Sequence, residues 1–252
     1  MRVVILVAFA ATFLASCDDC ESDGLLQCLR EQDRNRIEKL GGIWRGSLTH
    51  TEITGSQPVV AIVSESGDFR LISTSGIQAS GRVGGGRRSA SGSLRFFPAE
   101  GSTFSEDRKS INGNFEGSAE EATTLNGDWV ASADSDVKGE FRLTYDEIYA
   151  EDSSLARLAG NYSAQDGTGF SRSVVVRDSG DIEGSDSDGC NYAGSAEVID
   201  SEWNAYRLTI AVSDCDERAG DYAGLGFLAD NGTELTAQVT GGNAVVSFVV
   251  DK

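Results

Sequence analysis

Histidine is almost missing from this sequence. Among 252 residues there is one, His50, in "GSLTHTEITG". Hydrolytic catalysis through an imidazole would therefore have to centre there, and nothing nearby supplies a nucleophile with an oriented carboxylate. A lone histidine at a strand end reads instead as an exposed polar residue. The same shortage argues against zinc, whose usual ligands are His and Cys. Basic residues are also scarce. Lys and Arg total 21 against 40 Asp and Glu, a formal charge of -19. Nucleic-acid phosphates and anionic headgroups need the opposite balance, so nucleic acid is excluded and cationic partners are favoured. No phosphate cradle is present, because "VGGGRRSASGS" lacks the Gly-Lys-Ser/Thr ending. It reads as a hairpin tip carrying Arg87 and Arg88, the one local basic feature and at most a weak anion contact. Long periodic helices are absent after residue 40. No cofactor is expected.

What is abundant is glycine, 30 residues against 2 prolines, together with Ser, Thr and Val in short alternating runs. "AYRLTIAVS" sets Tyr206, Leu208, Ile210 and Val212 on one face and Arg207, Thr209, Ala211 and Ser213 on the other. "NAVVSFVVD" sets Val246, Phe248 and Val250 together. Such alternation, broken by turns like Asp230-Asn231-Gly232 and 241–243, predicts many short antiparallel strands.

The chain also repeats itself. Ser66-Gly67-Asp68 aligns with Ser179-Gly180-Asp181; Gly76 then falls on Gly189 and Gly81 on Gly194 without a gap. Upstream, "IEKLGGIW" aligns with "LARLAGNY", so that Leu40 meets Leu158 and Trp44 meets Tyr162. The two blocks differ in offset by five residues, which a longer first hairpin absorbs. Internal duplication follows. The second unit parses into strands at 160–165, 170–177, 181–186, 190–199, 205–213, 220–229, 233–240 and 243–251, and the first follows the same plan. Eight antiparallel strands leave two raw edges unless the sheet closes. The fold class expected is therefore all-β, two tandem small eight-stranded meander barrels at 41–152 and 153–252, with a short N-terminal helix before them. Units of about 100 residues make narrow barrels filled by side chains.

The N-terminus has its own grammar. Arg2 precedes the uncharged run Val3–Leu14, too short to span a bilayer, and the sequence reads as an export signal over 1–16. Leu14-Ala15-Ser16-Cys17 resembles the bacterial lipobox, which implies cleavage before Cys17 and acylation of that residue, anchoring the chain to a lipid bilayer. Asp18 is similar to an inner-membrane retention signal; otherwise the outer membrane is implied, in either case facing the periplasm. Residues 17–40 then form a tether and short helix, with Leu25, Leu26, Leu29, Ile37 and Leu40 on one stripe. Four cysteines remain, and in an exported chain an even number suggests disulfides. Four allow three pairings. Proximity in sequence favours Cys20–Cys28 and Cys190–Cys215. The second pair flanks a hairpin that brings its two ends together.

The acidic stretch "DSGDIEGSDSDGCNYAGS" is the obvious candidate for metal chemistry. Calcium takes six to eight oxygens, and Asp178, Asp181, Asp186 and Asp188 could offer some. The EF-hand pattern fails, however. With Asp186, Asp188 and Gly189 at loop positions 3, 5 and 6, Gly184 falls on the first ligand and Ser195 where Glu is required. The first unit carries Ser73 and Ser75 in place of Asp186 and Asp188, so turn formation explains the stretch better.

Several motifs together resemble a group of uncharacterised proteobacterial lipoproteins: the lipobox, Tyr145–Tyr149, the step Ser154–Tyr162, Gly189-Cys190, Asn204-Ala205-Tyr206 and Cys215. The resemblance spans most of the mature chain and implies an envelope lipoprotein without implying an activity. Gly42-Ile43-Trp44 is similar in placement to the Gly-x-Trp of lipocalins, which supports a barrel. The function expected is thus a membrane-anchored, non-enzymatic binding or accessory role whose molecular partner stays open between a protein, a cationic one being favoured by charge, and a small apolar ligand. The alternative is a calycin-like carrier of a small apolar ligand, with Trp44 or Trp129 reporting on its cavity.

Overall fold

The computed structural model describes residues 40–252, apart from Arg87, Glu100, Gly101, Thr168, Asp216, Glu217, Gly242 and Asn243. The export signal, Cys17, Asp18, Cys20, Cys28 and the expected N-terminal helix lie outside the described residues. Sixteen strands form two closed eight-stranded antiparallel barrels in tandem. Barrel one comprises β1 (Gly42–His50), β2 (Ile53–Val63), β3 (Asp68–Ser73), β4 (Gln78–Gly86), β5 (Ser89–Phe97), β6 (Ile111–Glu120), β7 (Thr124–Ala131) and β8 (Lys138–Asp146). Barrel two comprises β9 (Gly160–Gln165), β10 (Ser171–Val176), β11 (Asp181–Asp186), β12 (Asn191–Val198), β13 (Tyr206–Ser213), β14 (Gly220–Ala229), β15 (Glu234–Gly241) and β16 (Ala244–Asp251). These bounds agree with the strands expected for the second unit to within a residue or so. The reason is visible in β13, where every second residue from Tyr206 to Val212 is buried and the residues between are exposed. Period-two burial is what a sheet with one wet face requires.

The duplication extends to individual hydrogen bonds. Trp44 Nε1 donates to the carbonyl of Leu40 at 3.2 Å, and Tyr162 OH donates to the carbonyl of Leu158. Each unit thus pins its first strand to the turn before it with the polar tip of a buried aromatic residue, as buried Trp and Tyr generally require. Gly67 and Gly180 both have positive φ. Their carbonyls accept from Val83 and Ala196 at 2.8 and 2.7 Å. Without a Cβ these turns adopt the left-handed region at little cost.

The seams differ. Barrel one is sealed by six consecutive register pairs between β1 and β8, from Ile43 with Asp146 to Leu48 with Phe141. Barrel two is sealed between β16 and β9 by one, Asp251 with Ser163.

The connection between the barrels is partly helical. A 3-10 turn (Glu147–Ala150) leads to one helical turn, α1 (Leu155–Leu158), whose N-cap Ser154 accepts from the Arg157 amide. Between the barrels lies a shared apolar cluster: Ile43 and Ile62 from barrel one, Tyr149 from the connection, and Ala205, Leu225, Phe227 and Ala229 from barrel two. Two buried amides set the docking. Gln238 on β15 accepts from the Leu71 amide at 3.1 Å and donates to Gln78 at 3.0 Å. Asn204, fully buried, donates to the carbonyls of Ile148 and Leu228 and accepts from the Leu228 amide. Tyr149 stacks on Trp203 and donates to Glu65. Burial and the Glu65 carboxylate push the Tyr149 phenol well above its ordinary value.

Candidate functional site

The barrel interiors leave little room for a ligand. Barrel two is filled by Tyr162, Tyr192, Tyr206, Tyr222 and Phe248 with aliphatic residues between them. Burial holds the phenols of Tyr162 and Tyr192 at about 12. Barrel one retains an apolar cavity of about 50 Å³ among residues including Ala61, Leu71, Phe115 and Phe141. A drug-sized ligand needs ~300 Å³ or more, so this space is a packing void.

His50 departs from expectation. It is 3% exposed, not a surface residue. The β1–β2 hairpin extends the inward phase Trp44, Leu48, His50 to the rim of barrel one, and the β5–β6 connection folds over it. The ring stacks on Phe104 at 5.2 Å and meets Trp129 at 4.7 Å and Phe96 at 5.4 Å. Nδ1 accepts from the Glu52 amide at 3.1 Å, which leaves the proton on Nε2, and Nε2 has no partner. Glu52 in turn pairs with Arg108 and accepts from the Ser105 amide. Burial lowers the imidazole to about 4; Glu52 pulls it up and Arg108 pushes it down. His50 is therefore neutral near pH 7. Its unprotonated nitrogen, Nδ1, is occupied by the Glu52 amide, and its ring is packed against three aromatic residues.

Beside this rim runs a groove of about 840 Å³. Its lining combines apolar Ile53, Phe115, Trp129 and Val130 with Glu116, Asp128 and Glu140, against the single cation Lys138. Acidic at its rim and apolar at its floor, it is the first candidate for partner binding. No local motif marks it, because it draws on β1, β2, β6, β7 and β8, far apart in the chain.

The acidic stretch of the second unit resolves into turn, strand, turn. Asp178 and Asp181 lie at one end of β11, Asp186 and Asp188 at the other, separated by about 16 Å of strand. The structure places the four carboxylates, the weaker calcium alternative, at two separate turns and does not bring them together. Among the described residues no group of three or more His, Cys, Asp or Glu converges as metal ligands. Asp181 instead accepts from Ser179, and Asp188 pairs with Arg218 at 3.1 Å. The Asp186 side chain is fully enclosed. It accepts from the amides of Asp188 and Cys190 and from Tyr192 OH, and lies 3.8 Å from Arg172. Arg172 is itself buried in barrel two, its guanidinium over Phe170, Tyr192 and Phe248. This arginine was missed, although Arg172, Val174 and Val176 share the inward phase of β10 and so marked it as buried.

Cys190 and Cys215 form a disulfide, with Cα atoms 4.5 Å apart. It ties the start of β12 to the connection after β13, as expected. Arg88 sits at the exposed β4–β5 tip; Arg87 lies outside the described residues. No helix among the described residues is long and apolar enough to cross a membrane. Comparison of the chain with family models, with curated proteins and with solved structures finds no match.

Proposed function

We propose that this protein is an acylated lipoprotein of the bacterial envelope, anchored through Cys17, that works by binding a cationic protein on its outer surface. The observation that carries the reading is the filling of both barrels. With about 50 Å³ of free interior in barrel one, recognition falls to the exterior, and that exterior carries most of a formal charge of -19. The acidic-rimmed groove on barrel one offers the composition such a partner needs: an apolar floor for anchoring side chains and carboxylates that steer a basic surface. The lipobox-like Leu14–Cys17 and the resemblance to proteobacterial lipoproteins support the anchoring, and the even cysteine count fits an oxidising compartment.

The test is crosslinking in intact cells followed by recovery of the chain from detergent-extracted membranes. Mass spectrometry of the recovered chain should find a modified N-terminal Cys17. A basic protein should co-purify, and its yield should drop when Glu116, Asp128 and Glu140 are all replaced by Lys. An unmodified, water-soluble product beginning elsewhere would refute the anchoring. An unchanged yield from the triple variant would refute the groove.

A further inference from the structure

We propose that the outer edge of β16 is a docking rail on which an extended, basic segment of the partner protein adds to barrel two as an extra strand. This rests on the reading of a cationic partner and names where its main chain goes. The observation behind it is the difference between the seams. Six register pairs join β8 to β1, whereas one joins β16 to β9. β9 has six residues and turns back at Gln165, while β16 runs for eight from Ala244. From Ala244 to Val250, β16 has register partners on β15 and, among the described residues, none on the β9 side. A side chain serves part of this stretch from within: Arg172 donates to the carbonyl of Ser247.

The edge is also undefended. Sheet edges in soluble proteins are blunted by lysine, proline or bulges. Ala244–Val250 reads AVVSFVV, with no charge and no proline. On its outer face stands Val249, 50% exposed, the most exposed large hydrophobic side chain described. An added strand would take main-chain hydrogen bonds from the rail and cover Val249, which is how strand addition divides affinity from specificity.

Charge selects the occupant. Asp251 ends the rail, Glu234 lies opposite it on β15, and Asp166 follows β9. Of the cations beside it, Arg172 is committed to the Ser247 carbonyl and Lys252 to the Arg157 carbonyl, over the Tyr162 ring. A second copy would bring another -19 against the first. A strand alternating apolar and basic residues meets both the rail and its acidic ends.

The test uses the full chain in detergent and a fluorescein-labelled synthetic peptide alternating valine and lysine, read by anisotropy. Binding should saturate, and a valine–glutamate peptide of equal length should not bind. Val249→Pro removes a main-chain donor and Val249→Lys defends the edge; each should weaken binding about tenfold or more. Ala211→Lys, at an exposed position on β13 of the same barrel, should leave it unchanged. Thermal unfolding of each variant separates lost binding from lost fold, and Val249→Thr serves if the proline variant does not fold. Equal binding to wild type and both Val249 variants overturns the rail while leaving a cationic partner in place. No peptide binding to the wild type also overturns it, and the groove variants then decide the partner question separately. A dimer that Val249→Lys dissolves would make the occupant a second copy and overturn the proposal.

Discussion

The two barrels hold the same backbone together with different chemistry. At one turn, Ser73 accepts from the Ile77 amide in barrel one, and Asp186 accepts from the Cys190 amide in barrel two. The same comparison sets Val59 of barrel one against Arg172 of barrel two, both buried, and Ile77 against the disulfide-bonded Cys190. Barrel one answers with apolar packing and a hydroxyl. Barrel two answers with a buried ion pair, cation–π contacts and a covalent link. The turn needs an oxygen at a fixed place; whether that oxygen belongs to a hydroxyl or a carboxylate is decided by what the neighbouring strand can pair with it.

Removing one side of this comparison should have the largest effect. Asp186→Ala leaves the Arg172 guanidinium buried without its carboxylate and should cost about 3–5 kcal/mol, read as a loss in denaturant midpoint. Arg172→Val combined with Asp186→Ser transplants the first barrel's solution. It should be less destabilising than Asp186→Ser alone, and a double-mutant cycle without coupling would show that the pair is incidental. Cutting the covalent link by Cys190→Ser with Cys215→Ser should cost about 3 kcal/mol, a loss that reducing agent reproduces in wild type and not in the variant. In barrel one the comparable weakness is acid. His50 has its folded value at about 4, below the ordinary 6.5. The unfolded chain therefore takes its proton first as pH falls. The stability is fully present above pH 6.5 and is lost as pH drops towards 4, by about 3 kcal/mol in total. Unfolding of His50→Phe over that range should lack this component. The smallest effect belongs to Ser73→Ala, about 1 kcal/mol for one hydroxyl acceptor.

The strands were readable because burial in a sheet with one wet face writes itself into every second residue, as in Tyr206–Val212. Closure followed from the count of strands and their raw edges. The polar interior was harder. His50 is an ordinary strand-end residue until the β5–β6 connection, some fifty positions on, lays Phe104 across it. Asp186 looked like a surface acid because its partner stands on the adjacent strand, and that adjacency exists only once register is set. Arg172 could have been found, since it occupies the inward phase of its own strand. The unequal seams could not, because pairing across the first and last strands depends on where each chain segment ends in space.

The docking of the barrels carries a further consequence, one of modularity. The chain records a copying event, yet its halves are no longer exchangeable parts. Ile43 and Ile62 in one half, and Leu225 and Phe227 in the other, are covered only because the halves meet. Gln238 donates to Gln78 and accepts from the Leu71 amide across the same join. A single barrel expressed alone would carry a greasy scar and stranded amides where its twin had been. Duplication supplied two units; the apolar residues and amides at their join now bind the two into one piece.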